Sequence, residues 1–287
     1  MTSRALVIGA NGGMGMAVVR ALLDYSWQVA ATVSRCEAVT LLRDEFPLCD
    51  PVVPLDLADS DVVKEYISAI VEDFEVLDAV VVCAAVAPFG PAETTSLEGF
   101  RRTMEINCLS NLAVYQACMP ALRRSRGRVV LTGSYSGRVA TPAMASYVSS
   151  KFALEGLSDV LRQEAGAWGV DVVLIQPGAL DTQMMRRSQT SLAATIAALP
   201  ESEAELYGTL YRQMKYRADE GIANSNFTHP NVLATTVLEA LTVLRPEPRY
   251  PVGEDAKQMI ELARTRSDRE IDELVLEIYR SAPVEGN

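Results

Sequence analysis

Hydrophobic positions along this chain form short unbroken runs, separated by longer stretches in which they recur every three to four residues. Ala5-Leu6-Val7-Ile8, Val80-Val81-Val82 and Val129-Val130-Leu131 lack polar interruption, as do strands buried on both faces of a parallel sheet. After the first run, Ala17, Val18, Ala21, Leu22 and Leu23 recur at helical spacing. The pattern predicts strands near 4–9, 28–34, 51–55, 77–83, 127–133, 170–175 and 249–252. It predicts helices near 13–24, 36–46, 59–73, 97–124, 146–168, 230–244 and 255–280. Strands alternating with helices imply right-handed crossovers and an α/β, doubly wound, mostly parallel sheet with helices on both faces. No repeat or low-complexity linker interrupts the alternation, so residues 1–287 are expected to form one domain.

Two segments fall outside the alternation. Between Thr182 and His229, Met184, Met185, Leu192, Ile196 and Leu199 are followed by Leu206, Leu210 and Met214 at i, i+4 and i+8, with Tyr207 and Tyr211 on the same stripe. Core packing explains such a stripe, but its place in the chain predicts a helical lid over about 183–229. Residues 254–281 alternate acidic and basic side chains around Met259, Leu262, Ile271, Leu274 and Ile278, which predicts one amphipathic C-terminal helix.

Composition narrows the function. Hydrophobic residues make up 49% and charged residues 22%, near globular averages. A net charge of −11 argues against a nucleic-acid partner. No run of 18 apolar residues occurs, and Met1-Thr2-Ser3-Arg4 leads straight into a strand, so neither a membrane span nor a signal peptide is expected. Cysteines 36, 49, 83, 108 and 118 show no C-x-x-C spacing, and His229 is the single histidine. No metal site and free buried thiols in a reducing cytoplasm are the expectation.

The chemistry concentrates at the predicted strand ends. Gly9-Ala10-Asn11-Gly12-Gly13-Met14-Gly15 follows the first strand and opens the first helix. That arrangement points backbone N–H groups and a helix N-terminus at a diphosphate, and makes the sheet Rossmann-like. Tyr147 and Lys151 stand one helical turn apart, with Ser134 upstream and Pro177-Gly178 downstream. An ammonium on the same helix face favours the phenolate, so Lys151 is expected to lower the pKa of Tyr147. Ser134 would hold a substrate oxygen beside the phenol. Chance predicts about 0.14 such Tyr-x-x-x-Lys pairs in this composition. The second pair present, Tyr211 and Lys215, has Ala198 where the first has its serine, and reads as a coincidence.

With these residues in view, the chain resembles the short-chain dehydrogenase/reductase family from about residue 4 to 182, and more loosely to about 253. Gly9, Gly13 and Gly15 are similar to the family's glycine turn, with Ile8 in place of its threonine. Asp56, beside Leu57, is similar to the aspartate that meets the adenine. Asn107, Ser134, Tyr147 and Lys151 match the catalytic set, and Pro177, Gly178 and Thr182 match the segment bordering the nicotinamide. The resemblance implies that Lys151 also bonds the nicotinamide ribose. It implies that Asn107 holds its helix open for a water leading to Lys151; a helix asparagine bonded to nearby backbone is the alternative. One departure is Cys83-Ala84-Ala85-Val86, where the family carries Asn-Asn-Ala-Gly; only backbone contacts could survive there.

Cofactor type turns on the end of the second strand. Ser34 and Arg35 stand there, with no carboxylate before Glu37. A guanidinium suits a 2′-phosphate, so NADP(H) is favoured over NAD(H), which is not excluded. The expected reaction interconverts a bulky apolar ketone and its secondary alcohol by hydride transfer, with Tyr147 as general acid or base. Pro142, Ala143 and Met144 would form an apolar wall, and Arg186 and Arg187 read as solvated. The stretch from Pro230 to Asp255 is loosely similar to steroid- and retinoid-type members. A non-catalytic NADP(H)-binding regulator of the same fold is the alternative. Helices at 97–124 and 146–168 are more apolar than one face needs, and the resemblance implies a homodimer or homotetramer paired through them.

Overall fold

The structure is a computed structural model that describes residues 2–282 apart from 73, 75, 225 and 226. The chain runs β1 (Arg4–Ile8), α1 (Gly13–Asp24), β2 (Gln28–Val33), α2 (Glu37–Glu45), β3 (Cys49–Pro54), α3 (Ser60–Glu72) and β4 (Ala79–Val82). There follow α4 (Leu97–Met104), a π-turn (Glu105–Leu109), α5 (Ser110–Ser125), β5 (Arg128–Thr132), a 3₁₀ turn (Tyr135–Gly137), α6 (Ala145–Gly166) and β6 (Asp171–Pro177). The remainder is α7 (Gln183–Ala197), α8 (Glu201–Ala223), α9 (Pro230–Thr242), β7 (Arg249–Val252), α10 (Glu254–Thr265) and α11 (Asp268–Arg280).

The seven strands lie in the order β3-β2-β1-β4-β5-β6-β7. Every neighbouring pair is parallel, so the sheet expected to be mostly parallel is wholly so. The apolar runs explain this, because both sheet faces are covered. On one face, Val63 and Ile67 of α3, Val114 and Leu122 of α5, and Leu154 and Leu161 of α6 pack against Leu6, Val80 and Leu131. On the other, Val18 and Leu22 of α1, Leu42 of α2, and Leu233 and Val237 of α9 pack against Val7, Val81 and Val130. The chain reverses its direction across the sheet between β1 and β4. Ligands of such sheets bind beyond the strands' carboxyl ends at that point.

Three expectations are revised. The helix expected over 97–124 is broken by the π-turn at 105–109, which carries Asn107. The helix expected over 254–281 is two helices, because Ser267 and Glu270 form a capping box that starts α11. The stripe from Leu206 to Met214 does not act as one face: Leu206 is 71% exposed, whereas Tyr211 and Met214 are buried against Ala143 and Leu192. Among the cysteines, 49, 83, 108 and 118 are buried thiols as expected, but Cys36 is exposed. Among the described residues, no helix is long and apolar enough to cross a membrane, and no cluster of His, Cys, Asp or Glu could hold a metal ion.

Candidate active site

Helix α6 sets Tyr147 and Lys151 on one face, four residues apart. The Lys151 Nζ lies 5.7 Å from the centre of the Tyr147 ring and donates to the Thr132 carbonyl at 2.8 Å. Ser134 begins the 3₁₀ turn after β5, and its hydroxyl lies near enough to the Tyr147 phenol to act on that phenol's pKa. The Ser134 Oγ also accepts from the Ser136 N–H at 3.1 Å, which fixes its position. Ser134 and Lys151 are buried, whereas Tyr147 is half-buried.

The electrostatics differ from the expectation. Burial raises the pKa of Tyr147, and the Ser134 hydroxyl opposes that rise. Lys151 does not bring the phenol down. Its own charge is desolvated, and burial lowers its pKa to about 8 while the nearby Cys108 thiol acts the other way. A buried phenol keeps its proton at neutral pH.

Asn107 ties this set to the loop after β4. Its side chain donates to the Val86 carbonyl at 2.8 Å and to the Ser150 hydroxyl at 3.0 Å, and it accepts from the Val86 N–H at 2.9 Å. The altered stretch from Cys83 to Val86 is therefore held by backbone bonds from Asn107, and by the Cys83 N–H on the Ile8 carbonyl at 2.9 Å. Cys83 itself is buried, its thiol pushed up to about 12 by desolvation.

The glycine turn crosses this loop closely. Gly9 has a φ of +81°, and a Cβ there would come 2.6 Å from the Ala84 Cβ. A Cβ on Gly15 would come 2.4 Å from the Gly9 carbonyl oxygen. Only glycine satisfies both constraints. At Gly12 a Cβ would meet only the Gly9 carbonyl oxygen, at 3.7 Å, and no side chain caps the N-terminus of α1. Free N–H groups at an uncapped helix end suit a diphosphate. Asn11 and Ser34 exchange two hydrogen bonds of 3.0 Å, which tie the turn to the end of β2 and set Arg35, exposed, beside it. A planar guanidinium there suits a further phosphate.

A cavity of about 1250 Å³ gathers Gly9, Asn11, Gly12, Gly13, Met14, Ser34, Arg35, Cys83, Ala84, Ala85 and Thr182 into its lining. Gly15, Asp56, Leu57, Asn107, Ser134, Tyr147, Lys151, Pro177 and Gly178 lie outside that lining. Ser146, the neighbour of Tyr147 on α6, is in the wall. Asp56 is exposed and accepts from the Ala58 N–H at 3.0 Å, and Leu57 is buried in the core. Thr182 caps α7 through the Met185 N–H and touches the Cβ position of Gly13 at 3.2 Å. Tyr211 also lines the cavity, but Lys215 is paired with Asp219, so the second Tyr-x-x-x-Lys forms no comparable site. Arg186 pairs with Asp181 at 2.9 Å, whereas Arg187 lines the cavity.

Several partners escaped the sequence reading. Asp255 accepts from the Ala179 N–H at 2.7 Å and packs against Gly178, fixing the Pro-Gly segment from 76 positions away. Glu155 stands one turn beyond Lys151, a spacing that sequence alone displays. Its carboxylate accepts from Gln176 at 2.6 Å and pairs with Arg138 at 3.0 Å and Arg249 at 2.9 Å. It thus joins the 3₁₀ turn, α6, β6 and β7.

Known proteins resemble the chain in sequence and in fold. The family described as "short chain dehydrogenase" matches residues 3–193. The chain is 29% identical to the 3-amino-tetrahydro-pyrrolizinone reductase of Xenorhabdus hominickii over 93% of each chain. It is 26% identical to the NADPH-dependent 3-dehydrocapnine reductase of Ornithobacterium rhinotracheale over 87% of each. Its fold is similar to that of a short-chain dehydrogenase from Streptomyces avermitilis (TM-score 0.75, 22% identity, 98% of each chain). It is also similar to one from Burkholderia cenocepacia in complex with NADP (TM-score 0.70, 22% identity, 96% of this chain and 97% of that one).

Proposed function

The chain belongs to the short-chain dehydrogenase family, and from that premise we propose an NADP(H)-dependent oxidoreductase that interconverts a bulky, largely apolar ketone and its secondary alcohol. The observation that carries the reading is the Tyr147 phenol, with the Ser134 hydroxyl and the Lys151 ammonium beside it, on the helix whose Ser146 lines a cavity that begins at the glycine turn. Gly12, Gly13 and Met14 at the start of α1 would hold the cofactor diphosphate, and Ser34 and Arg35 its 2′-phosphate. The NADPH-dependent relative and the NADP-bound neighbour support that choice.

The cofactor supplies the hydride. Tyr147 donates its proton to the carbonyl oxygen, and Ser134 orients that oxygen and stabilises charge developing on it. Lys151 places a positive charge near the phenol as it becomes phenolate. Burial keeps the phenol protonated at neutral pH, the state that the reductive direction requires. Phe89, Met184 and Tyr211 give the chamber its apolar surface. A regulator without turnover is not favoured, since it would have no use for this set. Leu109 before α5 and Phe152 and Val160 on α6 are exposed apolar residues, and they are the support for a homo-oligomer.

Tyr147→Phe tests the assignment. NADPH oxidation with ketones should fall by about a hundredfold or more, the usual share of a general acid, while NADPH titration by fluorescence stays close to the parent's. Residual turnover within about tenfold of the parent, or 1.4 kcal/mol of barrier, would remove Tyr147 as the proton donor.

A further inference from the structure

Of the charged groups in the cavity wall, Arg35, Arg102, Arg187 and Glu203, the last is the one carboxylate, and it has no part in the hydride chemistry. Glu203, in the first turn of α8, lines the cavity with Phe89, Gly90, Thr94 and Tyr211. Its Oε1 accepts from the Thr94 hydroxyl at 2.9 Å and from the Tyr211 hydroxyl at 3.3 Å. Both donors are neutral and both reach the same oxygen. Among the described residues no ion pair neutralises this carboxylate; Arg187, in the same wall, donates instead to Gln183 at 3.4 Å.

The group is built onto the wall that leads to Tyr147. Tyr211 is buried against Ala143, and the Gly90 N–H donates to the Ala143 carbonyl at 2.8 Å. Gly90 in turn faces the Tyr211 hydroxyl, since a Cβ there would lie 3.9 Å from it. If Glu203 only latched α8 to the loop around Thr94, a neutral acceptor would serve equally well. A carboxylate in a largely apolar chamber instead selects for a cation and against neutral or anionic groups.

We propose that Glu203 determines specificity by binding a protonated amine at the end of the substrate remote from its carbonyl. The inference rests on the ketone-reductase reading above and adds the charge of the substrate to it. The body of the substrate stays apolar, and its far end is an ammonium.

The test uses aryl ketones matched in shape, para-(dimethylaminomethyl)acetophenone and para-isobutylacetophenone, together with their meta isomers. Binding to the full chain with NADP⁺ is measured by calorimetry, and NADPH-linked turnover by absorbance. The cationic member of at least one pair should bind about tenfold or more tightly, as one hydrogen bond to a charged group provides. Glu203→Gln, which keeps an acceptor for Thr94 and Tyr211, should bring that ratio close to unity. Glu201→Gln, the same charge change two residues away on α8 and outside the cavity lining, should retain it. Equal binding within every pair, no binding of the cationic probes, or a preference that survives in Glu203→Gln overturns the inference. Turnover of ketones that depends on Tyr147 but ignores charge would sink this inference alone. Charge-selective binding that needs Glu203, without any turnover, would instead sink the reductase reading.

Discussion

Lys151 holds an ammonium with 1% of its surface exposed, and its pKa of about 8 sets an alkaline limit to reduction. Tyr147 keeps its proton through that range because burial raises its pKa. The first group to change state as pH rises above neutrality is therefore the lysine. In the free enzyme, kcat/KM for ketone reduction should fall by about tenfold per pH unit above about 8. Lys151→Arg, whose side chain stays charged, should carry the limb beyond pH 10 in whatever activity remains. A pH–rate profile unchanged in that variant would assign the limb elsewhere. The spacing of Ser134, Tyr147 and Lys151 made this set legible before any coordinates. The direction of the tyrosine shift was not, because burial outweighs the effect of a nearby ammonium, and burial is a property of the folded surroundings.

Elements carry the parts that sequence periodicity missed. The π-turn at 105–109 exists where Asn107 bonds the Val86 backbone 21 positions away, so nothing in the local pattern announces it. The break before α11 was visible as Ser267-x-x-Glu270, but the charge alternation on either side concealed it. Asn107 also replaces the side-chain bonds that the altered loop from Cys83 to Val86 lacks. Asn107→Ala leaves the Val86 N–H and carbonyl without partners, which should cost about 1–3 kcal/mol by urea unfolding. Freed from that tie, the loop should also loosen its wall of the cavity and weaken NADPH binding by about tenfold, an energy within that same range. Unchanged affinity and stability would mean that the loop is held by the Cys83–Ile8 bond alone.

At the scale of the molecule, the apolar strand runs were enough to read the sheet, because a strand sealed on both faces leaves little choice of partner layer. The cavity wall was not readable, since Glu203 and Tyr211 meet Thr94 only once α8 packs against the loop after β4. The same burial makes the whole fold sensitive to alkali. Burial raises the thiols of Cys49 and Cys83 from 9.0 to about 12, and that of Cys118 higher still. Above pH 9 the unfolded chain loses these protons while the folded chain keeps them, so stability falls as pH rises. Lys151 acts in the opposite sense: between about 8 and 10.5 the folded chain gives up its proton first, and stability rises. Three thiols outweigh one amine. The raised thiol of Cys108 and phenols of Tyr135 and Tyr279 act in the same sense, so near pH 10 the net slope should be about −2 kcal/mol per pH unit or steeper, since one proton of difference is worth about 1.4 kcal/mol per unit. Urea midpoints measured from pH 8 to 10.5 should therefore drop steeply above 9. In Cys118→Ala they should start lower, because of the cavity left in the core, but decline less steeply. A parent midpoint that stays level to pH 10 would show that the thiols ionise in the folded protein, and that the core around Cys83 and Cys118 admits water.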